Sequence, residues 1–420
     1  MPSPITAVLC GAGGRGLYAY GPYALQHPDD LRFVAVAEPN AERRERFANA
    51  HGIPPERRFA SWDELFAAGR LADTCFNMTQ DQMHLPSTLA ALDAGYELLL
   101  EKPMASRLAD SVALVQAAER GGRLMQICHV LRYTPFFSTL HAVLASGRLG
   151  QIVTVEHREN VVFWHMAHSF VRGSWGNLAA SSPMLLAKCC HDLDILVWNM
   201  GAPVERLSSV GSLMHFRLEH APPGATERCT DPCPAGPICP FDARRIYLNM
   251  DVTTWPVTAL TDDLSYEGRL RALQTGPYGR CAYKCDNDVV DHQVVQLEFE
   301  GGVTASFTMV AFTTMRGRQT RIFGSHGELT TDSRTITVDD FRTLERRVID
   351  TEPIGDGALA SGHGGGDEGL VVAMLNAVRQ GDQQLVSSGA DQSLESHLMV
   401  FAAEQARRRG TVEPVVLHAG

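Results

Sequence analysis

The sequence predicts an α/β chain in which a doubly wound parallel sheet is followed by an α+β domain on a large, mostly antiparallel open sheet. Three observations predict it. Short apolar runs alternate with helical stretches as far as Cys128, a glycine-rich turn follows the first run, and from Gln151 onward apolar and polar residues alternate singly.

At 420 residues two domains are expected, 1–128 and 129–420, with a cysteine-rich insertion at about 218–290. A composition of 45% hydrophobic and 20% charged residues is that of a soluble globular protein with a full core. No run approaches the roughly 20 apolar residues of a membrane span. Met1-Pro2-Ser3-Pro4 leads straight into a strand without a signal-peptide pattern, so the expected location is cytoplasmic. A net charge of −11 without a basic block argues against nucleic acid and anionic membranes as partners, leaving a small molecule. Ten cysteines in such a chain read as reduced thiols or metal ligands.

Residues 5–10 form the first strand, and Gly11-Ala12-Gly13-Gly14-Arg15-Gly16 follows before a helical stretch to about Gln26. This is Gly-x-Gly-x-x-Gly, whose glycines permit a tight turn, close approach of backbone to a pyrophosphate, and close packing of helix on strand. A second strand, 31–37, ends on Glu38, about 20 residues past Gly16, where an acid accepts from ribose hydroxyls and repels a 2′-phosphate. The reading is a Rossmann domain that takes NAD in preference to NADP.

A helix over 41–51, a strand over 74–78 and a helix over 82–94 follow. The next strand, Leu98-Leu99-Leu100, stops on Glu101-Lys102-Pro103. Ligands sit beyond the carboxyl ends of such strands. Thr79, His84, Glu101 and Lys102 are therefore expected beside the cofactor. A helix over 106–120 and a strand over 124–128 close the domain, and His129 and Tyr133 at its exit are expected to face substrate.

In the second half, 152–156, 294–300, 303–310 and the run around 321–330 read as long antiparallel strands, with Gly301-Gly302 as a hairpin turn. An open sheet tends to bury one face between subunits, so a homo-oligomer is expected. A helix over 391–408 returns to the body, and Gly362-His363-Gly364-Gly365-Gly366 reads as a loop.

Taken in order, the glycine turn, Glu38, Glu101-Lys102-Pro103 and His191-Asp192-Leu193-Asp194 resemble the Gfo/Idh/MocA oxidoreductases over essentially the whole chain. The resemblance implies a Rossmann domain, a C-terminal α/β domain on an open sheet, NAD(P)-dependent sugar or inositol oxidation, and a cis Lys102–Pro103 peptide. It also implies that Lys102 and His191 flank the nicotinamide. Family dehydrogenases usually carry aspartate four residues before this histidine, where this chain has Ala187. If the segment is helical, Lys188 shares a face with His191 and could replace the aspartate as relay or bind an anionic group.

Oxidising a secondary hydroxyl needs one base near neutrality. Histidine titrates there, and lysine is brought there by burial and like charge. Lys102 and His191 are the candidates, with His191 as base or relay and Lys102 orienting and polarising the hydroxyl, or with the two roles exchanged. Between Glu159 and Trp175, Trp164, His165, His168, Arg172 and Trp175 supply rings for stacking on sugars and polar groups for hydroxyls. The pair His165-x-x-His168 also has metal-ligand spacing. Asp288, with Asp291 and His292, forms a second polar cluster. Cys229, Cys233 and Cys239, joined by Cys281 and Cys285, could staple a loop-rich insertion with a structural zinc ion, although unligated thiols or an iron–sulfur cluster also fit. Cys189 and Cys190 read as buried helix residues.

The leading function is thus NAD-dependent oxidation of a sugar or glycoside. The alternatives, implied by the resemblance, are an NAD-dependent glycosidase working by transient C3 oxidation, elimination, hydration and re-reduction, and a non-catalytic NAD-sensing regulator.

Overall fold

β1 (Ile5–Cys10) is almost wholly apolar because both its faces are covered, as parallel strands require. Ala7 and Leu9 enter one core layer, Val8 and Cys10 the other. The computed structural model describes residues 3–315, 317–351 and 364–416. β2 (Leu31–Ala37), β3 (Arg58–Phe59), β4 (Thr74–Asn77), β5 (Glu97–Leu100) and β6 (Met125–Ile127) complete a parallel sheet of order β3-β2-β1-β4-β5-β6. The order reverses between β1 and β4, which opens a crevice at their carboxyl ends. The glycine turn after β1, Thr79 after β4 and Lys102 after β5 all stand at that edge.

β5 shows how the chain's return completes this half. Leu98 and Leu100 pack on one face, Leu99 on the other, all fully buried. Leu99's layer is filled by Leu370, Val371 and Leu375 from helix Gly366–Gln380, and the opposite layer by Ala390 and Leu394 from helix Ala390–Arg409. The last helix was expected to return to the body. The helix before it was not foreseen, and the first sheet would lack part of its cover without it.

The second sheet comprises β7 (Ile152–Val162), β8 (Val204–Ser212), β9 (His292–Phe299), β10 (Thr304–Thr313), β11 (Gly317–Gly324), β12 (Gly327–Thr331), β13 (Thr335–Asp340), β14 (Arg346–Asp350) and β15 (Val412–Pro414). Its order is β14-β13-β12-β11-β7-β10-β9-β8-β15, antiparallel except for β7 against β10. Gly301 and Gly302, at φ +86° and +87°, make the β9–β10 turn as expected. The run around 321–330 is not one strand but the β11–β12 hairpin. Its turn lies at Ser325-His326, between Gly324 and Gly327, glycines that let the backbone pass close to Leu149 and Asp339. Val295, Leu297, Phe307, Met309 and Ile322 bury one face of this sheet against helices Cys190–Met200 and Ala390–Arg409.

Between β8 and β9 lies the cysteine-rich insertion, with short helices Ala243–Tyr247, Val257–Leu260 and Tyr266–Thr275. Gly362 and His363 of the expected loop lie outside the described residues, while Gly364 and Gly365 turn into the helix that begins at Gly366. Among the described residues no helix is long and apolar enough to cross a membrane.

Candidate active site

The turn after β1 is built for a dinucleotide. Gly11 has φ +92°, and a Cβ there would stand 2.6 Å from the Met78 carbonyl oxygen, so only glycine lets the turn close on the β4 loop. A Cβ on Gly16 would meet the Gly11 carbonyl oxygen at 2.5 Å. At Gly13 and Gly14 nothing lies within 4 Å of a Cβ, which is the open approach a pyrophosphate needs. Glu38, buried at the end of β2, accepts from the Ala12 N–H at 2.8 Å and the Asn40 N–H at 2.9 Å. These residues fit the adenosine and pyrophosphate parts of NAD.

Arg15 and Glu101 meet each other. The Arg15 guanidinium bridges Glu101, Asp367 and the Tyr20 hydroxyl, so helix Gly366–Gln380 is tied to the glycine turn. Burial would raise the Glu101 pKa, but the charges of Arg15 and Lys102 outweigh it and hold the carboxyl below its ordinary value.

Lys102 is half-buried and its peptide to Pro103 is cis, as the resemblance implied. Its Nζ donates to the Ala187 carbonyl at 2.9 Å, across to the second domain. The position where aspartate was expected therefore offers a backbone carbonyl. Two histidines brace this loop from behind. The ring nitrogens of His84 lie 2.7 Å from the Pro103 carbonyl oxygen and 3.0 Å from that of Thr79. His397 Nε2 accepts from the Met104 N–H at 2.9 Å. His84 is fully buried, so the cofactor contact expected of it gives way to a supporting role, and Thr79 keeps a half-buried place at the groove.

His191 opens helix Cys190–Met200, and its ring packs edge-on against His129 at 5.6 Å. One turn on, Asp194 receives a two-pronged ion pair from Arg132, both contacts at 2.7 Å. His129 is fully buried, and burial lowers its pKa to about 3. It stands behind His191 and does not face a substrate, contrary to expectation. Tyr133 is likewise structural: its hydroxyl accepts from the Ser387 and Ser388 N–H groups at 3.0 and 3.2 Å and from Gln126 Nε2 at 2.8 Å.

The segment before His191 is not one helix. Met184–Ala187 ends before Lys188, and a turn separates it from Cys190. Lys188 therefore does not stack one helical turn from His191; its Nζ pairs with Glu159 at 3.1 Å. Glu159 also meets Arg318 at 3.1 Å, and Arg318 grips Asp192 at 2.7 and 3.2 Å, with His157 Nε2 3.1 Å from the same carboxylate. Burial opposes ionisation of Asp192, but Arg318 and His157 hold its pKa at about 2. Cys189 and Cys190 are buried there as expected.

The aromatic stretch divides in two. Trp164 and His165 are half-buried and face Trp255, with ring centroids at 5.4 and 4.8 Å, while Trp175 is 39% exposed. His168 and Arg172 are buried and occupied. His168 Nδ1 is 2.6 Å from the Tyr247 hydroxyl and its ring stacks on Tyr278, and Arg172 donates to the Arg280 and Phe241 carbonyls at 2.7 and 2.6 Å. Both anchor the insertion, which corrects their expected place on the substrate wall. Trp255 was missed, although its Trp-Pro pair was a visible signal in the insertion. Asp288 accepts from the Leu178 N–H at 2.7 Å and pins that loop; Asp291 is fully buried and caps the turn at Met214-His215.

Cys229, Cys233, Cys239 and Cys281 line one pocket; Cys285 does not. Among the described residues no three His, Cys, Asp or Glu side chains already stand together as metal ligands, so neither the expected zinc site nor the His165/His168 pair is preformed.

The chain matches two family models: an oxidoreductase family with an NAD-binding Rossmann fold over residues 5–129, and that family's C-terminal alpha/beta domain over 142–416. An oxidoreductase of Bacillus subtilis (strain 168) is 21% identical over 66% of this chain and 63% of its own length. An inositol 2-dehydrogenase of Streptomyces avermitilis is 29% identical over 46% of this chain and 52% of its own. The chain thus aligns with less than two thirds of either relative. An oxidoreductase from Agrobacterium radiobacter, solved with NAD+, L-tartaric acid and magnesium, superposes with a TM-score of 0.71 at 16% identity, covering 98% of this chain and 99% of that one, which establishes the shared fold. With both halves matched in order, the chain belongs to the Gfo/Idh/MocA oxidoreductases, as an NAD-binding Rossmann domain followed by the family's C-terminal alpha/beta domain.

Proposed function

We propose that this protein oxidises a secondary hydroxyl of a sugar or glycoside with NAD as hydride acceptor. The observation that carries the reading is Lys102, half-buried at the carboxyl end of β5 and held at 2.9 Å on the Ala187 carbonyl, four residues before His191. The glycine turn, Glu38 and Thr79 are the groups that would hold the cofactor. When bound, NAD supplies a nicotinamide ring that takes the hydride. The chain's own residues handle the proton. Lys102 donates to the substrate hydroxyl oxygen and orients it, and His191 takes the proton. His129 behind it, with its pKa lowered to about 3 by burial, stays neutral at neutral pH and adds no like charge against that transfer. Lys188, tied to Glu159, positions the site without acting as base.

Trp164, His165 and Trp255 offer the face for a sugar ring. The similarity to an inositol 2-dehydrogenase supports a polyhydroxylated substrate. In this reading the cysteine-rich insertion is scaffold for Trp255. Self-association is part of the reading too: Val210, Phe312, Val348 and Val412 leave apolar side chains exposed on the second sheet.

The test is incubation with NAD+ and a panel of sugars, inositols and aryl glycosides, following NADH absorbance and aglycone release together. Stoichiometric NADH is expected. Aglycone release without net NADH would assign redox-neutral glycoside cleavage instead, and silence on both channels would assign a sensor. Glu38→Ala should weaken NAD binding by about 10–100-fold, the loss of a charged hydrogen bond of about 1.5–3 kcal/mol, and weaken NADP binding less. Calorimetric titration of both cofactors checks it; equal losses would remove Glu38 from the ribose.

A further inference from the structure

We propose that Cys229, Cys233, Cys239 and Cys281 bind a single structural zinc ion that holds the insertion together. The four thiols come from two segments about fifty residues apart in sequence and line one cavity of about 20 Å³. A cavity of that size admits a water-sized sphere, enough for an ion.

The backbone holds the two cysteine-bearing segments side by side. The Arg172 guanidinium approaches the Cys229 sulfur at 3.5 Å. The two segments are also locked in register: the Cys229 N–H donates to the Gly279 carbonyl at 2.8 Å, and the Cys281 N–H to Glu227 at 2.9 Å. A tight turn, with the Gly236 N–H on the Cys233 carbonyl at 3.0 Å, brings Cys239 back toward Cys233.

Cys285 is excluded. Its thiol donates to the Cys281 carbonyl at 3.3 Å and it does not line the cavity. The sulfurs do not yet stand as a ligand set, so binding requires rotation about the cysteine χ1 angles, with the thiol protons released to solvent as Zn²⁺ takes their place. Four thiolates and one Zn²⁺ leave two negative charges; Arg172 stands beside them with its guanidinium on the Cys229 sulfur, while Arg244 at the cavity wall is paired with Asp242.

A staple would reinforce a small separate core. The insertion's own buried core cluster is Ala243, Tyr247 and Leu273, and Phe241, Ala282, Tyr283, Val289 and Val290 tie it to the main core of the second domain, so its separate core is small.

The full-length protein, purified from zinc-supplemented medium, should carry about one zinc per chain by elemental analysis. Cys233→Ser and Cys281→Ser should each reduce this to near none, whereas Cys285→Ser should retain it. Should a serine variant aggregate, cobalt loading of the wild-type protein decides, because tetrahedral cobalt thiolate gives intense charge-transfer and d–d bands. Absence of both zinc and the cobalt bands, zinc that survives in Cys233→Ser and Cys281→Ser, or iron with acid-labile sulfide would each overturn the proposal.

Discussion

Lys102→Ala is expected to lower kcat by about 10²–10³-fold, the range for loss of one preorganised donor to the reacting oxygen, while NAD binding stays within about twofold. The two effects separate because Lys102 stands at the end of β5, whereas the glycine turn and Glu38 are held by β1 and β2. Lys102→Arg should not restore turnover, since a planar guanidinium cannot take the single-point geometry of an ammonium on the Ala187 carbonyl. Stopped-flow hydride transfer and cofactor titration on the same samples make the comparison. Unchanged kcat in Lys102→Ala would overturn the assignment. A parallel loss of NAD affinity would point to a cofactor role alone.

Arg318→Leu is expected to destabilise the fold by about 3–5 kcal/mol, because it strands buried carboxylates. Asp192 is fully buried and would keep His157, and Glu159 would keep Lys188, but each would lose its shared cation. The pH dependence carries a sign. With the Asp192 pKa held at about 2, below the unfolded value of about 3.9, its contribution is present above that unfolded value and lost as pH falls through about 2. Without Arg318, burial acts on the carboxyl with less opposition. The variant should therefore lose less stability than the wild type between neutral pH and the acid range. Urea midpoints for both proteins at neutral and acid pH test this. Equal midpoints at neutral pH would show that Arg318 contributes nothing to folding. Because the aspartate pairs beside His191, a drop in turnover should accompany the drop in stability.

Some of the site was legible because its signals are local. A strand, three spaced glycines, a second strand and Glu38 specify a dinucleotide turn whatever folds around them, since turn geometry and strand order are set within a few dozen residues. Lys102 at the end of an apolar strand was legible for the same reason. The aromatic stretch was only half legible. Trp164, His165, His168 and Arg172 look alike as a composition, yet the backbone turns the last two inward to Tyr247 and the Phe241 carbonyl. His84 and His129 were placed at the cofactor and substrate from their positions in sequence, and full burial put both behind the residues that face the groove.

By itself the sequence determined the strand–helix alternation of the first sheet, the cofactor turn, the β9–β10 hairpin and Lys102 at a strand's end, because each rests on periodicity or on a short motif; the pairing of Lys102 with His191 came from the family resemblance. Only the tertiary structure decided which side chains meet. It set Ala187's carbonyl against Lys102, gave Lys188 to Glu159, brought His397 to Met104 across 293 residues, and gathered four thiols from two segments into one cavity. Such contacts arise from how layers pack and where helices break, and no local pattern of residues encodes them.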